Sequence, residues 1–490
     1  MRPRAVMRRA GQGERMDDTA KQRLKAGSVG WVRIFAFVFA TTGPMIGLVG
    51  AVPVGLTQGN GIGLAGCFLL VGAAYLVFTV GFAALVRQVI DAGAFYACVA
   101  RGLSPSAGLV TAGFAVTAYM ALQLCCYVLI GFFIEQLSLR LLGEGWPWWF
   151  NALLVNAVVP LCSQRNLVFA AWLIGALALA EFAMIAAFAV SVLAHGGGPQ
   201  GLSAEPFAPA RVFSAGFGAA MAFAVASFSG FETAAVYAEE ARAPQRNVPR
   251  ALYAAIFAVA LSTTVAVWTL IAAYGPDRVV DAAWHHPGEL WFAVAPNFVP
   301  AGVAAAMAGL LLTSLFAAIV ALQNVVSRYL YALGRDGAIW PTLAQMHPVQ
   351  ETPYIANLVQ AMVSILMLSA LGLVEQDPLR IALGSVSALA AASLLCAQIL
   401  TSLAVIGYFR AHGGGGALAT RIAPALSVLA LSALLGTILA NLRLLTGGSD
   451  AAAWSIVAAL AGIAVLAALY AAALKRRAPA VYAALGRGGR

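Results

Sequence analysis

The chain has 490 residues, of which 62% are hydrophobic and 10% charged, far from the soluble norm of about 25% charged. That composition excludes a water-soluble globular domain and implies an all-α integral membrane protein. The formal net charge of +10 is accounted for by membrane topology and anionic lipid headgroups, so no nucleic-acid partner is needed.

The first thirty residues are basic and polar, without an apolar h-region or a small-residue cleavage site, so a cytoplasmic tail (1–30) is expected rather than a cleaved signal peptide. Bilayer thickness asks for about 20 apolar residues per helix. Twelve such runs follow, near 31–56, 62–86, 94–136, 147–163, 168–194, 212–238, 249–273, 291–333, 354–373, 378–409, 422–445 and 452–474. The third, eighth and tenth exceed one span and must tilt or extend beyond the bilayer. With both termini cytoplasmic, Arg140, Arg211, Arg278, Arg380 and Arg443 fall outside and the other twenty-four of the 29 Lys and Arg residues inside, which fixes the orientation expected in a cytoplasmic membrane.

Two runs are interrupted. The first carries Gly43, Pro44, Gly47, Gly50 and Pro53 within eleven residues, and the sixth reads Ala226-Ser227-Phe228-Ser229-Gly230-Phe231-Glu232. A break inside the membrane frees backbone groups that lipid cannot satisfy, so it survives only where protein or a water-filled cavity receives it. Gly43 and Gly47 also form a G-x-x-x-G, for which close helix packing is the simpler account. Breaks five runs apart point instead to two inverted five-helix halves with a site between them. The halves are runs one to five and six to ten, together a core at 31–410; runs eleven and twelve (411–474) are appended, and 475–490 form a basic cytoplasmic tail.

The breaks, with two further motifs, resemble the amino acid, polyamine and organocation transporter superfamily, which has the leucine-transporter-like fold. The motifs are Gly230-Phe231-Glu232 followed by E-E-x-x-x-P-x-R-x-V-P-R from Glu239 to Arg250, and Asn324-x-x-Ser327-Arg328-Tyr329-Leu330-x-Ala332-Leu333-Gly334-Arg335-Asp336-Gly337. The resemblance implies a secondary carrier, monomeric or dimeric, that moves an amino acid by alternating access as a proton-coupled symporter or an exchanger. It also implies that carbonyls of Met45, Ala226 and Ser229 face an ammonium and amides from Gly47 to Gly50 face a carboxylate, with Ile46, Leu48, Val49, Phe228 and Gly230 around them. Many amino acid members have Gly-Ser-Gly where this chain has Gly47-Leu48-Val49-Gly50, so an amine or polyamine is the alternative substrate.

Glu181 is the sharpest single residue, because a carboxylate midway along an apolar run costs several kcal/mol unless paired or protonated. It is expected to face the interior, as a proton-coupling switch or an anionic contact for a cationic substrate; the alternative is a neutral carboxyl bonded to a carbonyl of the first run. Tyr119 and Gln123, four apart on the third run, share a face that suits a cavity wall or core hydrogen bonding. Thr313 and Ser314 offer hydroxyls to a sodium ion, or to their own i−4 carbonyls. Glu239, Glu240, Arg242, Arg246, Arg250, Arg328, Arg335 and Asp336 are expected to form ion pairs that close the inward side, and Ser385 and Ser387 are candidates for the outer gate. The six cysteines show no C-x-x-C pair and the five histidines fall in expected loops, so neither a metal site nor a cofactor is suggested, and no enzymatic constellation is present. A channel or a membrane sensor remains a competing class.

Overall fold

The computed structural model describes residues 27, 29–164, 167–350, 352–374 and 377–488. Nearly all of the expected N-terminal tail, with Arg165 and Arg490 of the charge argument, lies outside the described residues. Among the described residues the chain is helical, with one isolated parallel bridge between Val29 and Ala241.

The membrane segments are α1 (Trp31–Gln58), α2 (Gly61–Val86), α3 (Pro105–Leu142), α4 (Trp148–Ser163), α5 (Leu167–Ala194) and α6 (Phe217–Tyr237). They continue with α7 (Pro244–Tyr274), α8 (Ala301–Arg335), α9 (Tyr354–Leu373), α10 (Leu383–His412), α11 (Leu418–Ala440) and α12 (Asp450–Arg477). Eleven of them have the length and apolar composition to cross a membrane, and α4 is shorter at 16 residues.

Two of the over-long runs resolve into separate helices. A short helix, Phe95–Gly102, precedes α3, which starts afresh because the Ser104 hydroxyl accepts from the Ala107 amide at 3.2 Å and Pro105 occupies the first helical position. Likewise Leu290–Val294 is distinct from α8, which begins after Pro300. The tenth run begins with a π-turn, Pro378–Ala382, before the 30 residues of α10.

Both predicted interruptions are present. In α1, Trp31–Thr42 ends at Gly43, whose φ of 49° and ψ of 69° lie in the left-handed region that glycine tolerates; Pro44 then restarts the helix, which passes through a π-segment, Gly47–Ala51. In α6, Phe217–Phe228 ends at Ser229, and a tighter 3₁₀ stretch, Phe231–Tyr237, follows Gly230 at φ 115°. The first half of α1 packs on the second half of α6 and the π-segment on the first half, so the broken helices run antiparallel as an inverted repeat requires. A methyl group on Gly230 would meet the Thr41 carbonyl carbon and the Thr42 amide at 3.1 Å, in a conformation L-residues rarely adopt. Gly230→Ala is therefore expected to lower stability by more than about 1 kcal/mol, read as a lower thermal midpoint.

Around this pair, α3 packs against α4, α8, α10 and α12, and the first half of α1 against α5, α7 and α8. α12 is peripheral, and Val465, Leu466 and Leu469 on it are exposed, as a lipid-facing surface requires.

Candidate functional site

A helix that restarts at Pro44 has four leading backbone positions with no intrahelical acceptor. Pro44 has no N–H. The Met45 amide donates to Glu181 Oε1 at 2.5 Å, and the amides of Ile46 and Gly47 donate to the Gly43 carbonyl at 2.9 and 3.2 Å. Glu181, 2% exposed on α5, therefore caps the second half of α1, and its other oxygen accepts from the Ser314 hydroxyl on α8 at 2.7 Å. One carboxyl ties three helices together at the positive end of a half-helix, where an anion is stabilised.

The α6 break carries a second carboxyl. Glu232, 1% exposed, accepts from the Gly230 amide at 3.2 and 3.3 Å and from the Tyr119 hydroxyl of α3 at 2.9 Å. The Tyr119 ring lies 5.7 Å from that of Tyr329 on α8. Because Gly230 rests on Thr41 and Thr42, Glu232 and Glu181 flank the same Gly43 turn.

Met45, Gly47, Leu48, Val49 and Gly50 are buried and Ile46 half-buried. Close approach explains the glycines: a methyl on Gly47 would meet Ser227 Oγ at 2.9 Å, and one on Gly50 would meet Leu129 of α3 at 2.6 Å. Ala226 is half-buried with its carbonyl bonded to the Ser229 amide at 3.2 Å, while the Ser229 hydroxyl donates to the Val225 carbonyl at 3.0 Å. Phe228 is buried among Phe68 and Tyr75 of α2.

Two of the paired candidates separate. Gln123 joins a buried amide network away from Tyr119: it donates to Gln323 Oε1 at 2.8 Å and accepts from Gln360 at 2.9 Å, and Gln323 donates to Asn357 Oδ1 at 2.6 Å. These bonds tie α3 to α8 and α9. Thr313 is exposed and bonded to carbonyls of its own helix, Gly309 and Leu310, whereas Ser314 reaches Glu181. Ser387 is buried with its hydroxyl 3.4 Å from Cys125 Sγ.

The face that carries residues 29 and 488 is sealed by ion pairs. Arg328, 1% exposed, pairs with Glu240 at 3.0 Å and lies over the Tyr237 ring at 4.9 Å. Arg335 bridges Glu239 at 2.8 Å and Asp91 at 3.2 Å, and Arg101 lies 3.6 Å from Asp91. Tyr96 donates to Asp336 at 2.9 Å, and the Gly486 amide near the end of the chain donates to the same carboxyl at 2.8 Å. Arg246 and Arg250 are exposed, and Arg242 donates to the Gly27 carbonyl at 2.8 Å. On the opposite face, a cavity of about 810 Å³ opens between α3 and α8 under Phe292 and Pro296, beside the Arg140–Glu289 ion pair.

Asp91 lies in the loop after α2. Burial pushes its carboxyl up to about 6, with Arg335 pulling it down and Glu239 and Asp336 pushing it up. Because folding raises this pKa, the folded chain holds the proton more tightly. The contribution is complete below about pH 4 and lost as pH rises through about 6, an amount near 3 kcal/mol. The thermal midpoint of the native chain should therefore fall relative to that of Asp91→Asn across this window.

Sequence reasoning noted Glu232 only as a neighbour of the break and missed Asp91, Tyr96 and Gly486. The acid of the Gly-Phe-Glu motif was the available signal for Glu232, since an acid two residues beyond a positive-φ glycine reaches back to its amide.

Known proteins agree with this architecture. The amino acid permease family model matches residues 29–440. The branched-chain amino acid permease BcaP of Bacillus subtilis is 28% identical over 211 residues, 41% of this chain and 40% of that one. Cationic amino acid transporter 4 of Homo sapiens is 30% identical over 138 residues, 27% of this chain and 20% of that one. The matches thus span less than half the length of these curated relatives. Among solved structures, a Na+-coupled sialic acid symporter superposes with a TM-score of 0.54 at 14% identity, covering 84% of this chain and 90% of that one. A manganese transporter of Eremococcus coleocola superposes with a TM-score of 0.54 at 12% identity, covering 91% of this chain and 98% of that one. The fold is shared with these transporters, and with the family match extending over both broken helices, the chain belongs to the amino acid permease family.

Proposed function

We propose that the protein is a secondary active carrier that moves an amino acid across the cytoplasmic membrane by alternating access, with both termini in the cytoplasm. The observation that carries this reading is the antiparallel meeting of two broken helices whose freed amides are held by buried carboxyls, Glu181 and Glu232. Such a site has two arrangements open to it, because each carboxyl joins a broken helix to a neighbour and both bonds can exchange. The Arg328–Glu240 and Arg335–Glu239 pairs close the cytoplasmic side and separate when α1 and α6 swing.

Proton coupling runs through Glu181 in this reading. Among the described residues its carboxyl accepts from the Met45 amide and the Ser314 hydroxyl, so a proton taken from water turns the Ser314 bond around, the acid O–H donating to Ser314 Oγ, and removes the anion that holds the positive leading end of the second half of α1. Reconstituted protein should show saturable uptake of an amino acid with a pH-dependent rate. Unitary currents in a bilayer, without saturable exchange, would identify a channel instead.

A further inference from the structure

We infer that the site selects substrates of net positive charge, an organic cation such as a diamine or a diamino acid, and does not anchor a substrate carboxylate. The inference rests on the carrier reading above. Half-helix N-termini inside a carrier ordinarily receive the anionic group of a substrate. Here the leading positions of the restarted α1 are accounted for: Pro44 lacks a donor, Met45 is held by Glu181, and Ile46 and Gly47 are held by Gly43. At the second break the Gly230 amide is held by both oxygens of Glu232. An incoming carboxylate would have to displace one of the chain's own carboxyls and then lie beside it, two like charges in a low-dielectric interior.

The charge balance points the same way. Among the described residues, the one buried Lys or Arg side chain is Arg328, and Glu240 already neutralises it. Asp91 and Asp336, the other buried acids, face Arg335. Glu181 and Glu232 are buried against amides and hydroxyls, with no cationic side chain among their described ion pairs. A buried carboxylate without a counter-charge is costly, so a proton or a cationic group of the substrate must supply one. A neutral zwitterion brings one ammonium and adds another carboxylate to the excess. A diamine or diamino acid brings a net positive charge that offsets Glu181 or Glu232.

Three compounds of one chain length separate the contributions. L-lysine carries two ammonium groups and a carboxylate, 1,5-diaminopentane lacks the carboxylate, and L-norleucine lacks the second ammonium. In proteoliposomes of the full chain, unlabelled 1,5-diaminopentane should inhibit radiolabelled lysine uptake within about threefold of unlabelled lysine, and norleucine about a hundredfold more weakly. Glu232→Gln keeps an acceptor for Tyr119 and Gly230 but removes the charge, and should narrow the lysine-to-norleucine ratio by about tenfold. Its thermal unfolding, measured alongside, shows whether the variant is folded; if it is not, the three-compound comparison on the native chain decides alone.

Inhibition by norleucine equal to that by lysine, or failure of 1,5-diaminopentane to inhibit, would overturn the inference. So would saturable uptake of neutral amino acids with none of lysine, and that outcome would leave the carrier reading standing. Absence of saturable uptake for every one of the twenty amino acids and for the diamine would overturn the carrier reading as well.

Discussion

Glu181→Ala should destabilise the protein by about 2–6 kcal/mol, because it strands the Met45 amide and the Ser314 hydroxyl in the interior at about 1–3 kcal/mol each. Glu181→Gln should behave differently. Its carboxamide oxygen accepts from Met45 and its amide nitrogen donates to Ser314 Oγ, so both partners stay bonded and the thermal midpoint stays near that of the native chain. What the glutamine lacks is a proton it can release. Proton-driven uptake in proteoliposomes should collapse while exchange at equal pH on both sides persists. A glutamine variant that keeps full pH-dependent uptake would remove Glu181 from the coupling mechanism, and an alanine variant of native stability would show that the cap is dispensable.

The second large effect is expected at the sealed face. Glu240→Leu leaves Arg328 charged and buried with the Asn324 carbonyl at 3.2 Å and the Tyr237 ring as its remaining described partners, a loss of about 3–5 kcal/mol. The double variant Glu240→Leu with Arg328→Met removes both charges and should recover much of it, so a double-mutant cycle isolates the pair. Because the pair joins the end of α6 to α8, its loss should also raise amide hydrogen exchange across Phe231–Tyr237 and the facing Trp31–Thr42, with little change in α9. Equal exchange in both regions would mean that the pair holds overall stability and not the seal.

Much of the architecture is legible in the sequence because lipid imposes harsh rules: apolar runs must be long, and a helix interrupted by Gly43-Pro44 or by Ser229-Gly230 must be sheltered. The same harshness makes Glu181 visible, since a lone acid in an apolar run needs interior partners, and it has two. Other features depend on which helices become neighbours. Gln123 and Tyr119 share a face in sequence, yet α8 and α9 draw Gln123 into an amide network while α6 draws Tyr119 to Glu232. Asp91 reads as an ordinary loop acid, and only the convergence of Arg101, Glu239 and Arg335 buries it. The third and eighth runs look continuous because hydropathy does not register a cap such as Ser104 or a start such as Pro300.

The seal is assembled from chain positions made at very different times. The Gly486 amide bonds the Tyr96 hydroxyl, 390 residues earlier, and the carboxyl of Asp336. At about 5–20 residues per second, Tyr96 emerges from the ribosome roughly 20–80 s before its partner exists. During that interval Arg101 also lacks the Gly486 carbonyl it finally holds. The nascent protein therefore enters the membrane with this face incompletely bonded, and Gly486, made long after Tyr96 and Arg101, is among the residues that finish it.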